Sequence, residues 1–307
     1  MGKAERIRQN NARARIAAQQ AAARRAEARK RMLMASASVL AVIAIVVVIV
    51  VVHAAGNNKA AAAGSGGTGT TSTAAAVTKD LANVPAATLN SVGAGSGVAK
   101  LIATSGQKPL TANGKPEIIY VGAEYCPYCA AERWAMTVAL SRFGTFTNLH
   151  LIHSSSTDVY ANTPTLSFYH STYTSKYLTF SPDEWYSDKQ LSQGDGYSVL
   201  QAPSALQTVA FDKYDAPPYI TSADKGSFPF VDIGNQYLVI GAQYTPSTLS
   251  GLSWTQVAAD VANPSSAVAK DIDGAANSIT AAICKITHNS DGAVCNSAAV
   301  TAGAGNL

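Results

Sequence analysis

Cysteine is scarce and unevenly placed in this chain of 307 residues: there are four, Cys126, Cys129, Cys284 and Cys295, and none earlier. Met32–Val52 holds no charged residue at all, which excludes a solvated surface helix there. Residues 3–31 hold no glycine or proline. An excess of positive charge is also missing from most of the chain. Residues 1–31 carry ten Lys/Arg against Glu5 and Glu27, a net charge of +8, while the whole chain is +4. Everything after residue 31 therefore sums to −4. The basic balance belongs to the tail, so the body offers nothing to a nucleic acid and no such partner is expected.

What is present begins with Val39–Val52, which is almost wholly aliphatic. About 20 apolar residues cross a bilayer core of roughly 30 Å. An isolated span must be helical, because lipid offers its backbone no partners. Arg29, Lys30 and Arg31 at its N-terminal edge orient Met32–Val52 as a single transmembrane helix, with residues 1–31 as a cytoplasmic tail and the remainder extracytoplasmic. A cleaved signal peptide, with Val52, His53 and Ala54 as the site, and a buried core helix are the competing readings. The long charged lead and an apolar run beyond the usual ~7–15 residues speak against cleavage. With the span retained or cleaved, all four cysteines lie where disulfides persist. The tail reads either as a marginal helix on the anionic inner leaflet or as a disordered basic segment that only sets topology. Residues 53–79 are rich in Ala, Gly, Ser and Thr without a periodic apolar face. That is the composition of a flexible linker with a reach of about 25–30 Å. A folded domain is expected over 80–307.

Within that domain Glu117–Gly122 reads as a buried strand, Ala130–Phe143 as a helix stopped by Gly144, and Asn148–His153 as the next strand, together a β-α-β unit. Residues 154–197 are dense in Tyr, Ser and Thr; the alternation over Thr165–His170 and Tyr177–Phe180 predicts half-buried strands. Tyr197–Tyr214 reads as helical, with Pro203 out of place. Ser227–Gly241 reads as a hairpin turning at Gly234-Asn235. Helices follow over Thr255–Ala262 and Ser265–His288, divided at Asn263-Pro264.

Cys126-Pro127-Tyr128-Cys129 falls where the strand ends and the helix begins. Unpaired N–H groups and the dipole at a helix start favour a thiolate, which is the nucleophile. Two intervening residues keep the second sulfur in reach of a mixed disulfide. Cys126 is therefore the expected nucleophile and Cys129 the resolving thiol. A zinc site using C-x2-C with Cys284 and Cys295 competes weakly, because 154 residues separate the pairs, and no metal is expected. A structural disulfide without turnover, or a free pair that merely packs, also fits the bare motif. Cys284 and Cys295 flank a turn-rich loop. They read as a structural disulfide, with a relay pair serving the first dithiol as the alternative.

Val121-Gly122-Ala123-Glu124-Tyr125-Cys126-Pro127-Tyr128-Cys129 resembles the thioredoxin superfamily, and its Pro-Tyr pair is similar to that of glutaredoxins. Phe228-Pro229-Phe230 stands where such folds carry a cis-proline facing the dithiol. The resemblance implies that Pro229 is cis and that Phe228 and Pro229 bind an extended substrate chain. The order of linker, dithiol, aromatic segment, Phe228–Asn235 and terminal cysteine pair resembles the DUF929 family over roughly residues 80–300. It implies an α/β, thioredoxin-like fold with an inserted subdomain at about 154–215. One departure stands out: thioredoxin has a buried Asp six residues before its first cysteine, and Tyr120 occupies that place. Glu124 and Glu132 are then the nearby candidates for proton transfer. The expected activity is thiol-disulfide exchange on exported proteins by a tethered oxidoreductase. It needs no cofactor beyond a redox-active Cys126–Cys129 disulfide, and its partners are exported thiols or disulfides, or a membrane redox partner. The alternative is a non-catalytic surface module that binds a partner protein.

Overall fold

The computed structural model describes residues 69–192, 196–222 and 224–307. The basic tail, the Met32–Val52 span and most of the linker lie outside the described residues. Among the described residues no helix is long and apolar enough to cross a membrane.

The architecture is mixed α/β, a central sheet flanked by several helices. The chain starts with α1 (Thr71–Ala82) and α2 (Ala86–Val92). Residues 71–79, expected to be linker, thus belong to α1. Thr70 caps α1 by accepting the Thr73 N–H at 3.2 Å, and Ala74, Val77 and Leu81 are buried on one face. These three share a helical face, and the interrupting Thr and Ser residues hide that face from a composition count.

The sheet is built on β3 (Lys115–Gly122). Parallel β8 (Thr179–Glu184) pairs with it on one side, from Glu117 opposite Thr179 to Gly122 opposite Glu184. Antiparallel β11 (Phe230–Ile233) pairs on the other, and continues through β12 (Tyr237–Ile240) to β1 (Ile102–Ala103). A short β2 (Thr111–Ala112) joins the start of β3. Side chains alternate across strands, and here both faces are covered. Ile118, Tyr120, Val231, Ile233 and Val239 enter the main core. Ile119, Val121, Phe230 and Leu238 meet Ala210, Phe211 and Tyr214 of α4 (Ala205–Tyr214) in a second core. A strand buried on both sides reads as one continuous apolar run, as Ile118–Val121 does.

Helix α3 (Pro127–Ser141) follows β3 and packs against the long α6 (Ala267–Ile286). The expected β-α-β unit is corrected here. The strand after α3, β5 (His150–His153), leaves the central sheet and pairs antiparallel with β6 (Pro164–Ser167). The parallel return strand is β8, held by Phe180 against Phe168 and by Glu184 against Arg133 of α3. Segment 154–215 is consequently woven into the sheet. It also supplies β7 (Thr172–Ser175), paired with β4 (Gly144–Thr147), and a ribbon of β9 (Tyr186–Gln190) and β10 (Tyr197–Val199). The helix expected from Tyr197 begins only at Ala205, because Pro203 precedes the N-cap Ser204. The β11–β12 turn lies at Gly234 and Asn235, both at positive φ, with Asp232 accepting the Asn235 N–H at 2.7 Å.

After β12 come α5 (Trp254–Val261), α6, α7 (Gly292–Cys295) and α8 (Ala298–Gly303). Cys284 and Cys295 are disulfide-bonded, with Cα atoms 5.6 Å apart, which takes both sulfurs out of a four-cysteine zinc site. Closing a loop of this length stabilises a fold by roughly 2–3 kcal/mol on chain-entropy grounds. Replacing both cysteines by Ala is expected to lower unfolding free energy by about that amount in urea titrations; an unchanged midpoint would contradict the structural role.

Candidate functional site

Cys126 is the N-cap of α3 and Pro127 its first helical residue. Pro suits this place because the missing N–H has no intrahelical partner anyway. The Cys126 Sγ accepts the Cys129 N–H at 3.3 Å, and as a thiol it donates to the Phe228 carbonyl at 3.8 Å. Both cysteines are free thiols. Hydrogen bonding from Cys129 and from the helix-start N–H groups holds the Cys126 thiol below its ordinary pKa, against burial, with help from Arg133. Cys129, wholly buried, is pushed well up, first by burial and then by Cys126. The pair is polarised: Cys126 is the more acidic thiol and Cys129 the less acidic one.

The chain brings Phe228 and Pro229 to this pair from 102 residues away. The Phe228–Pro229 peptide is cis. The loop before it is fastened by the Asp215 carboxylate, which accepts the N–H groups of Gly226 and of Ser227. The Phe228 ring packs against Trp185 and Phe211, with centroids 5.4 and 5.6 Å away.

Beneath the dithiol lies a group the sequence reading missed. Arg133 sits four residues after Cys129, so it lies on the same helical face. Its Nε and Nη2 reach the two carboxylate oxygens of Glu184 at 2.8 and 2.7 Å, and Nη2 also donates to the Ala123 carbonyl at 2.7 Å. Both side chains are fully buried. The Arg133 guanidinium is 6.0 Å from the Tyr120 ring centre. The spacing from Cys129 could have pointed to Arg133; nothing local could have pointed to Glu184, 51 residues further on.

Tyr120 is fully buried, and among the described residues its hydroxyl has no hydrogen-bond partner. Its side chain leans along β3 toward Gly122, so that a Cβ at position 122 would clash with the hydroxyl. Gly122 is the residue that leaves it room. Burial pushes the Tyr120 phenol far up, so it stays neutral and is no base. Of the two candidate carboxylates, Glu124 accepts the Ser167 hydroxyl at 2.6 Å and Glu132 accepts the Gln243 N–H at 3.0 Å. Both are buried rather than solvated. Among the described residues neither hydrogen-bonds a cysteine sulfur.

Aromatic side chains frame the dithiol. Tyr125 stacks on Tyr197 with centroids 4.0 Å apart, and Tyr128 meets Tyr160 edge-on. Two backbone bonds staple segment 154–200 to the motif: the Glu124 N–H donates to Tyr186 and the Ser155 N–H to Tyr125, each at 2.8 Å.

These features define a mixed α/β protein with a polarised dithiol at a helix start, opposed by a proline loop and underlain by a buried ion pair. The family model for a domain of unknown function (DUF929) matches residues 102–285, and the chain belongs to that family. No curated protein and no solved structure matches the chain.

Two outcomes are expected here. Arg133 lowers both cysteine pKa values and Glu184 raises that of Cys129. Glu184→Gln should therefore lower the thiolate pKa followed by ultraviolet absorbance, and Arg133→Met should raise it. Each should also cost about 3–5 kcal/mol, because a buried charge loses its partner. Unmoved titrations in folded variants would remove the pair from the dithiol's electrostatics. Separately, burial pushes Glu132 up to about 7 against the pull of the Gln243 N–H. Its folded pKa exceeds the unfolded value of about 4.3, so its contribution is complete below about pH 4 and is lost as pH rises through about 7. The urea midpoint should fall between about pH 5 and pH 8, and less so in Glu132→Gln; equal slopes would show Glu132 uninvolved.

Proposed function

We propose that the protein is a membrane-tethered thiol-disulfide oxidoreductase with a thioredoxin-like domain, acting on exported proteins. The observation that carries this reading is the polarised pair itself. Cys126 is held as the more acidic thiol at a helix start, Cys129 stays protonated beside it, and the Phe228 carbonyl faces the reactive sulfur. The strand order β8-β3-β11-β12, with one parallel and two antiparallel pairings, supports the thioredoxin-like assignment. The dithiol just after β3 and Phe228-Pro229 just before β11 support the same reading. The uncharged run Met32–Val52 behind Arg29, Lys30 and Arg31 supports the tether and the extracytoplasmic placement.

In the reduced form, the Cys126 thiolate attacks one sulfur of a substrate disulfide. A Cys126–substrate bond forms, the substrate S–S bond breaks, and the departing thiolate takes up a proton. Cys129 then loses its proton and attacks the Cys126 sulfur, releasing the second substrate thiol and leaving the Cys126–Cys129 disulfide. The oxidised form runs the same steps backwards on a substrate dithiol. A membrane redox partner carrying a dithiol or a disulfide resets the pair. Arg133 supports the thiolate in both directions, and the neutral Tyr120 keeps the floor of the site free of a competing negative charge.

Cys129→Ala removes the resolving thiol. It should accumulate mixed disulfides between Cys126 and exported proteins, visible as reductant-sensitive bands on non-reducing gels and lost in Cys126→Ala. No adducts, together with partner binding that survives Cys126→Ala, would replace the enzyme with a binding module.

A further inference from the structure

Five lysines meet at the end of the sheet remote from the dithiol. Lys115 opens β3, whose eight residues carry the chain to the motif, a distance of roughly 23 Å. Its ammonium donates to the Ser175 carbonyl at 2.7 Å, next to the exposed Lys176. The β11–β12 turn lies at the same end. The Gly234 N–H donates to the Glu117 carbonyl at 3.0 Å, and the Gly234 carbonyl accepts the Leu110 N–H at 3.2 Å. The Asn235 side chain donates to the Lys108 carbonyl and accepts the Tyr214 hydroxyl, each at 2.9 Å. The Lys213 ammonium lies 4.5 Å from the Tyr214 ring centre and donates to Gln107 at 2.6 Å. Ile286 closes on Gly234, which brings Lys285 to the edge of the group. Lys108, Lys176, Lys213 and Lys285 are exposed. Of the acids that these contacts bring near, Glu117 and Asp232 are buried. Asp212, beside Lys213 in the chain, and Asp291, in electrostatic reach of Lys176, offset two charges. Five lysines against two surface acids leave a surplus of three. The dithiol end has the other sign. Asp158 is in electrostatic reach of Tyr125 and Tyr128, and Asp188 of Glu124. Lys189 offsets one of these carboxylates, and Arg133 and Glu184 cancel.

We propose that this basic pole docks on an anionic lipid surface and so holds the dithiol on the far side of the domain, open to soluble exported chains. The inference rests on the tether of the proposed function for its bilayer, and not on the redox chemistry. Charge complementarity selects the occupant. Lysine ammonium groups are point charges on long stems, so they suit a plane of headgroups without needing a shaped partner. Each lysine at an anionic bilayer favours contact by about fivefold, so a surplus of three favours it by about a hundredfold over a zwitterionic one. The carboxylates at the dithiol end oppose the reverse orientation in the same field. The attraction is a property of one pole, since everything after residue 31 sums to −4. Chain length supplies the proximity: a linker over residues 53–70 reaches roughly 21–25 Å, so contact with the bilayer costs the domain little freedom.

The test uses the full-length protein in nanodiscs of phosphatidylcholine, alone or mixed equally with phosphatidylglycerol, each holding an acceptor-labelled lipid. A fluorescent amino acid replaces either Thr111, exposed in β2, or Val159, exposed near the motif. Energy transfer to the lipid should be greater from position 111 than from position 159 in the phosphatidylglycerol discs. The ratio of docked to free domain should fall about a hundredfold in phosphatidylcholine alone, and 0.5 M salt should also release the domain by screening. Lys108→Glu, Lys176→Glu, Lys213→Glu and Lys285→Glu together should abolish the difference between the two positions. The thiolate titration of Cys126 should be unchanged in that variant, which shows that it folds; the lipid and salt arms decide on the native chain if it does not. Equal transfer from the two positions, or transfer indifferent to lipid charge and salt, overturns the docking surface and leaves the tether and the redox reading standing. Greater transfer from position 159 puts the dithiol end on the lipid and overturns the proposal. A chain that elutes apart from both kinds of disc overturns the tether, and the proposal with it.

Discussion

Taking a guanidinium and a carboxylate fully out of water is costly unless each satisfies the other. Arg133 and Glu184 neutralise each other through two hydrogen bonds, with the buried Nη1 left without a partner among the described residues, and the rest of the site depends on that contact. It joins α3, which carries the dithiol, to β8, the parallel partner of β3. It also reaches the Ala123 carbonyl in the turn that leads to Cys126. A shift of β8 by one residue would put Glu184 on the opposite face of the sheet and strand Arg133. The register of the strand pair and the electrostatics of the sulfurs are therefore set by one interaction.

Under the proposed redox role, the pair stands in for the carboxylate that the resemblance to thioredoxin would place near the dithiol. Tyr120 fills that position as a neutral, buried ring. A carboxylate here would compete with the thiolate for Arg133 and raise the cost of ionising Cys126. Instead Glu184, the carboxylate that acts on Cys129, is already engaged by the guanidinium, and Glu124 and Glu132 are bonded elsewhere. Burial holds the Cys129 pKa up; in the proposed exchange this would let the first sulfur meet a substrate before the second competes for it.

Much of this was legible along the chain. The Glu117–Gly122 strand, the helix behind the dithiol, the Gly234-Asn235 hairpin and the last two long helices stand where period and turn chemistry put them, within two or three residues at each end. The failures share a cause. Helix α1 was hidden because Thr and Ser dilute its apolar face, which becomes visible only when the core it meets is known. The β-α-β reading chose the wrong return strand because Asn148–His153 and Thr179–Glu184 are both short strands with apolar members, and periodicity carries no information about which neighbour a strand will find.

Local sequence by itself determined the chemistry-bearing parts: a dithiol at a strand-to-helix junction, a proline loop ahead of a hairpin, a cysteine pair that closes a short loop, and an apolar run with a basic edge. These are properties of adjacent residues, set by backbone sterics, capping and side-chain period. Tertiary structure alone decided that Glu184 would answer Arg133, that Phe228 would face Cys126, and that Tyr186 would staple segment 154–200 beside the motif. Each of those contacts spans some 50 to 100 residues. It exists because the two-faced sheet brings distant segments together, so that the buried Arg133 and Glu184 meet and backbone groups of segment 154–200 pair with the motif.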